Sequence, residues 1–392
     1  MAEIAPSANE LSSAVLAETD IPALISKLHE LLPYPIPLYR RLQFHLKHPN
    51  TATARAFLAL ASHTSPQAWL SSAAISSTRE TAFFAAHIDL SCAGETQIYV
   101  FASWELPTSN GFVQPTEETK KSLLNALFKT LATDPTFIPS SPKSPPSSHQ
   151  LLMQTKKLVT RYSPSKILFG ALHTEVFILI PKNAHARTDA GFVKYIFHPS
   201  QNSLASSGDE QLPTGYCFGT INDNDDHLNL VLSRTVIPRT LVTMRQLGSV
   251  GVFYDGETYA TVAEVENDQH TTDEKGRNSR TAREVELSTN TVDAAAVAAM
   301  LEKINRQPVA WGFLGKDASL TSLHVEPRHR GKGLAGDVTR KLFAMQDEVF
   351  GAGTRLGHAD VFESNSASRR VMEKLGGRST WVVVWVEEVS SI

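Results

Sequence analysis

Apolar and polar positions change period repeatedly along this chain, and each change predicts an element. Residues 21–32, IPALISKLHELL, carry apolar side chains at helical spacing, and Pro33, Pro35 and Pro37 end that run. Residues 51–61, rich in Ala, Phe and Leu, read as a helix start. Residues 97–104, QIYVFASW, are β-branched and aromatic and predict a strand. A helix over Glu117–Leu131 places Leu123, Leu124, Leu127 and Phe128 on one side. Leu151–Arg161 predicts a further helix, and Lys166–Ile180 predicts strand material.

Two polar stretches interrupt the pattern. PSSPKSPPSSHQ at 139–150 has the composition of an exposed, semi-rigid connector. PSQNSLASSGDEQ at 199–211 reads as a boundary between a domain at 1–205 and another at 211–392. In the second half, strands are expected at Ser249–Tyr254, Pro308–Leu314, Leu320–Val325, His358–Glu363 and Trp381–Val389. Helices are expected at Asp293–Ile304, at Leu334–Val349 and at Ser366–Leu375, the last closed by Gly376-Gly377. The region of about 264–290 is densely charged and poor in large apolar residues, as in a flexible insertion. Mixed strands and helices in both halves predict an α/β protein with mixed, α+β-type sheets.

Composition narrows the classes. With 392 residues, 42% hydrophobic and 20% charged, the chain has the make-up of a globular protein with a sizeable core. A net charge of −3 offers no global attraction to nucleic acid or an anionic membrane, and neither is expected as a partner. Cys92 and Cys217 are the only cysteines, which excludes a disulfide framework. No apolar run reaches membrane-spanning length, and the first ten residues carry two glutamates and no base, so a cytoplasmic protein is expected. No H-E-x-x-H or other metal-ligand spacing occurs, and no metal is expected.

The densest chemical signal is Leu323–Phe343, LHVEPRHRGKGLAGDVTRKLF. Pro327 stops a strand, and the chain then turns through Arg328–Lys332 into a helix. A helix start exposes unpaired N–H groups and the positive end of the dipole, so phosphate is its natural guest. Gly331 and Gly333 remove side chains that would hold an anion away, Ala335 and Gly336 keep the first turn shallow, and Arg330 and Lys332 add charge. A P-loop lysine-serine/threonine ending is absent. Gly331, Gly333 and Gly336 do spell G-x-G-x-x-G, but without the βαβ order of a dinucleotide site. A nucleic-acid patch at RHRGK lacks interleaved aromatics, and a plain basic helix start remains the bland reading.

Arg330-Gly331-Lys332-Gly333-Leu334-Ala335 fits [Q/R]-x-x-G-x-[G/A], preceded by Val325-Glu326-Pro327. It resembles the acyl-CoA pyrophosphate loop of the GNAT acyltransferase superfamily. The strand PVAWGFL before it and SNSASRRVMEKLGG after it, with Asn365 at the entry, extend the resemblance over about residues 211–392. Residues 32–50, LPYPIPLYRRLQFHLKHPN, with QIYVFASWE and the Trp381…Trp385 strand, look like the glycine N-acyltransferase-like branch. The resemblance implies a GNAT-like C-terminal domain preceded by a second, degenerate GNAT-like α/β domain that builds part of the acceptor pocket. It implies direct transfer of an acyl group, acetyl being expected, from acyl-CoA as co-substrate to the amine of a small molecule. The CoA-binding positions it implies are Leu323, His324, Val325, Arg330, Gly331, Lys332, Gly333, Leu334, Ala335, Gly336 and Asn365, with the Val325 N–H as donor to the thioester oxygen.

The chain departs from the superfamily's proton chemistry. Ser319 stands where many relatives carry a glutamate base, and Met372 where a tyrosine acid is common. Asp317, through water, and His324, whose ordinary pKa of about 6.5 suits a base near neutrality, are the candidate catalytic residues. Asp317 as a turn aspartate, His324 as a strand histidine and Asn365 as a helix cap are the bland readings beside these. The gap at Ser319 and Met372 also keeps a second function open, an acyl-CoA-binding or regulatory protein without turnover.

Overall fold

In a computed structural model, the structure describes residues 11–49, 54–72, 79–91, 94–137, 147–154, 163, 166–198, 212–255 and 306–389. The helix expected at 293–304 and the insertion at 264–290 lie outside the described residues, as do the polar stretch 199–211 and most of 139–150.

Twelve described strands form two sheets. The first half supplies β1 (Ser12–Leu16), β2 (Ala54–Leu60), β3 (Phe83–Asp89), β4 (Ile98–Ala102), β5 (Lys166–His173) and β6 (His185–Phe197). The second supplies β7 (Tyr216–Gly219), β8 (Gly248–Tyr254), β9 (Ala310–Leu314), β10 (Leu320–Val325), β11 (Gly357–Phe362) and β12 (Arg378–Val389). The large sheet runs β1-β2-β3-β4-β5-β12-β6-β11 and the small one β10-β9-β8-β7. A lone parallel bridge, Ser319 to His358, links the edge of one to the edge of the other, just before β10.

The two halves share one plan. In each, four strands pair antiparallel in sequence order, β1 to β4 and β7 to β10. In each, the fourth strand meets the fifth in parallel and only briefly: β4 and β5 share two residue pairs, while β10 and β11 share only the bridge. The sixth strands are exchanged. β12 lies against β5, β6 lies against β11, and the two exchanged strands pair with each other.

Packing follows the sheets. Phe57, Phe84, Leu123, Leu127 and Phe169 fill one face of the first half, while Leu24, Leu28, Leu42, Trp69 and Phe83 fill the other. Val338, Leu342 and Phe343, from the helix Leu334–Ala344, pack on one face of the second half together with Tyr195 and Phe197 of β6. Trp311 and Phe313 cover the opposite face against the helices Asp225–Arg234 and Leu241–Gln246, through Leu228, Val231 and Met244.

Several expectations change here. Ala54–Leu60, placed in a helix start by its alanines, is a buried strand paired on both sides. Helix propensity is a weak prior, and pairing with β1 and β3 overrides it. Lys166–Ile180 is strand only to His173, where His173 Nδ1 accepts from Glu175 N at 3.1 Å and caps a short helix. The prolines after residue 32 are followed directly by a second helix, Ile36–Lys47, with Pro37 in its first turn, where a missing N–H costs nothing.

Candidate functional site

The site grows from the parting of β10 and β11. In β10 the register with β9 slips between Thr321 and His324, so that Ser322 and Leu323 face a single residue. Ser322 takes φ +52°, as a β-bulge residue does when the strand is bent away from its ladder. Glu326 N donates to Val309 O at 2.8 Å. Strand backbone groups alternate sides, so the Val325 N–H and C=O point away from β9, towards the gap. Arg330 Nε donates to that Val325 carbonyl at 3.0 Å, so its side chain folds back on the strand.

After a turn at Pro327–His329, Gly331 has φ +77° and Gly333 φ +86°, and Gly333 is the N-cap of the helix Leu334–Ala344. Both angles belong to glycine, and a Cβ at Gly331 would meet nothing within 4 Å. Thus the loop lies open above the helix start, with no side chain of its own over it at Gly331. The Lys332 ammonium sits 5.6 Å from the Tyr216 ring centre. Leu334 is buried in the core, Ala335 and Gly336 complete the first turn, and Asp337 is ion-paired with Arg340. This open, glycine-lined helix start fits a diphosphate.

The other sequence candidates take definite places. Asn365 Oδ1 accepts from Ser368 N at 3.1 Å and caps the helix Ser366–Lys374. Leu323 packs with the core beneath that face of the sheet. The His324 ring stacks on Trp311 at 4.7 Å, with Nε2 3.6 Å from Glu326 Oε1. Burial lowers its pKa, and Glu326 opposes that shift. Asp317 is 3% exposed, and its Oδ1 accepts from Ser319 N at 3.2 Å and Ser319 Oγ at 2.6 Å. Met372 is buried in the core.

Asp317 and Ser319 line a cavity of about 720 Å³ built by both halves, and His324 is not in its wall. The first half contributes Glu95, Thr96, Tyr99, Leu168, Arg187, Asp189 and Phe192, and the second adds Val236, Ile237, Arg239, Lys316, Asp360, Phe362 and Trp385. The structure therefore separates the two catalytic candidates. It also sets Val325 at the loop end of β10 and Asp317 in the turn before the cavity end of that strand, whose six residues span about 17 Å. One carbonyl cannot be served by both. The bulge at Ser322–Leu323 lies between them.

Beneath the cavity runs a buried chain of contacts. Lys194 of β6, fully enclosed, places its ammonium 2.7 and 2.9 Å from the Asp360 carboxylate oxygens and 3.4 Å from His358 Nδ1. His358 Nε2 lies 2.7 Å from the Asp317 carbonyl oxygen. A carbonyl only accepts and an ammonium only donates, so Nε2 carries the proton and Nδ1 accepts. Asp317, His358 and Asp360 hold ligand-type atoms within 4.8 Å of one another, but the Lys194 ammonium already sits against Asp360, and both His358 nitrogens are engaged.

Burial first, and Lys194 next, push His358 down to about 4. Its folded pKa lies below the ordinary value, so its contribution to stability is present above about 6.5 and is lost as pH falls through about 4. Thermal melts should show Tm falling from pH 7 to pH 4. His358→Gln, which keeps a donor but cannot titrate, should flatten that slope; an unchanged slope would show that other groups carry it. Tyr99 is held above its ordinary range by burial, and next by Asp317, so its phenol stays protonated and able to donate.

Sequence reasoning expected the first half to build part of a pocket but named none of its wall residues, and it missed Lys194, Arg239 and Asp360. No motif marks them, because they are joined only by the strand exchange. Ser319 was noted as a gap, and its contact with Asp317, two residues away, was the available signal.

Residues 11–195 match the family described as the acyl-CoA N-acyltransferase verG N-terminal domain, and residues 300–386 match FR47-like protein. No curated protein matches the chain. Among solved structures, a Drosophila protein is 10% identical over 97% of this chain and 99% of its own, at TM-score 0.52, and shares the fold. A tandem GNAT protein from the clavulanic acid biosynthesis pathway is 12% identical over 97% of this chain and 99% of its own, at TM-score 0.41. A GCN5-related N-acetyltransferase from Sphaerobacter thermophilus is 9% identical over 98% and 97%, at TM-score 0.39. No helix among the described residues is long and apolar enough to cross a membrane. The repeated strand plan, the glycine loop beside a parted strand pair and the two matched families agree: this chain belongs to the GNAT acyltransferase superfamily.

Proposed function

We propose that the protein transfers an acyl group from acyl-CoA to the amine of a small molecule that also carries an acidic group and an apolar body. One observation carries this reading: the two-domain cavity begins where β10 and β11 part, at the opposite end of β10 from the glycine loop. An extended thioester arm along the gap has its diphosphate at Gly331–Gly336 and its acyl carbon at the cavity. The amides of the bulge at Ser322–Leu323 are then the donors on the path of the thioester oxygen, a role worth about 10²–10³ in rate per donor. Asp317 is the base for the amine. This direct transfer requires no metal.

The cavity wall supports the acceptor class. Its acids already have partners. Asp360 pairs with Lys194, Asp189 with Arg187 at 3.3 Å, Asp317 with Ser319, and Glu95 with Thr240 N and Thr243 Oγ1. Among the described residues, Arg239 Nη2 donates to Thr321 Oγ1 at 3.2 Å and Nη1 is enclosed without a hydrogen-bond partner. Val236, Ile237, Phe362 and Trp385 supply apolar surface, and about 720 Å³ exceeds what the smallest amino acids fill.

The test is thiol release from acetyl-CoA across a panel of amines, with and without a carboxylate. Release above background with acidic, apolar amines is expected; tight CoA binding with no release from any amine would favour the non-catalytic reading. Arg239→Gln should raise KM for the best carboxylate-bearing amine by about 10–100-fold, with little change for its decarboxylated analogue. Equal losses for both would remove Arg239 from acceptor binding.

A further inference from the structure

We infer that Ser319 is itself a catalytic residue, passing the acceptor's proton to Asp317. This rests on the acyltransferase reading above. Asp317 Oδ1 is already engaged by Ser319, through both its amide and its hydroxyl. That hydroxyl makes the shorter contact, 2.6 Å, with its proton directed at the carboxylate. Its oxygen therefore keeps lone pairs for a second partner, and both residues line the cavity.

The pair is held ready before any ligand arrives. The turn closes through Ala318 N to Gly315 O and Gly315 N to Ser319 O, both 2.8 Å. Ala318 takes φ +62°, a conformation that persists in an L-residue only where its surroundings impose it. His358 Nε2 donates to the Asp317 carbonyl from below, itself set by Lys194 of the exchanged strand β6. A Cβ on Gly315 would lie 2.6 Å from Asp317 Oδ1 and 2.8 Å from Ser319 Oγ, so the absence of a side chain there lets the two groups meet. Ser319 also makes the lone bridge to His358, where the two sheets part.

The step balances as follows. The neutral amine's lone pair forms the N–C bond to the thioester carbon, and negative charge develops on the carbonyl oxygen. The proton shed by the nitrogen goes to Ser319 Oγ while the Ser319 proton goes to the Asp317 carboxylate. Collapse breaks the C–S bond, and its electron pair leaves with sulfur. The proton held by Asp317 returns through Ser319, or through solvent, to the thiolate. Amide and free CoA thiol result, and both residues are restored.

The test uses the full chain, acetyl-CoA and the amine from the panel that releases thiol fastest. Ser319→Ala should lower kcat by about 10–100-fold, with the CoA dissociation constant within twofold of the parent. Asp317→Asn combined with Ser319→Ala should be no slower than Asp317→Asn alone, since two members of one relay are lost only once. Rates in mixed light and heavy water should curve with deuterium content in the parent, as two moving protons require, and become linear in Ser319→Ala. Ser319→Thr, which retains the hydroxyl, should keep most of the rate and serves as the folding control. A Ser319→Ala enzyme within twofold of the parent kcat would overturn the relay while leaving the acyltransferase reading intact. So would an acetyl group trapped on Ser319, which would make it a nucleophile. A parent protein that binds CoA and releases no thiol with any amine overturns the functional reading, and the relay with it.

Discussion

Replacing Gly333 by aspartate should weaken CoA binding by at least about 100-fold. Gly333 caps the helix Leu334–Ala344 at φ +86°, beside the open backbone of Gly331. A carboxylate there stands where the diphosphate is expected. At about 4 Å and a surface-like dielectric, the repulsion is on the order of 4 kcal/mol, more than a hundredfold in affinity. The backbone angle is a separate cost, about 1–2 kcal/mol for a residue other than glycine. Gly333→Asn tolerates that angle better and carries no charge, so it separates strain from electrostatics. Calorimetric titration with CoA should show Gly333→Asp inert and Gly333→Asn weakened only modestly. Equal affinity in Gly333→Asp and the parent would remove the loop from CoA binding.

Asp317→Asn should lower kcat by about 10²–10⁴, the range for loss of a positioned base. CoA affinity should not move, because the loop and Asp317 lie at opposite ends of β10. The amide side chain keeps an oxygen for the Ser319 hydroxyl, so the turn at Gly315–Ser319 should survive. His324→Gln provides the contrast. His324 stacks on Trp311 outside the cavity wall, and its loss should change kcat by less than about tenfold. If His324→Gln proved the slower variant, the chemistry would belong at the other end of the strand.

Local sequence was enough wherever a signal was short-range. The shape of the glycine loop was legible because positive-φ glycines and a helix start fall within six consecutive residues, Arg330–Ala335. The late strands and the helices Leu334–Ala344 and Ser366–Lys374 were legible because hydrophobic period and capping are local. Strand β2 was not, since its alanines favour helix and only its neighbours make it a strand. The Leu334–Val349 helix also breaks at Met345, where apolar spacing alone gave no warning.

What the sequence determined by itself is the shape of the loop we propose for the coenzyme: an ordered run of strand, proline, glycines and helix whose geometry needs no distant partner. What only the tertiary structure decided is the cavity we propose for the acceptor. Lys194 reaches Asp360 and His358 across 166 and 164 positions of chain, and Tyr99, Arg239 and Asp317 meet around one cavity, because β6 and β12 change places between the halves. Such a site has no period and no motif. Its members are brought together by strand pairing, and burial and charge at that meeting place then set their chemistry.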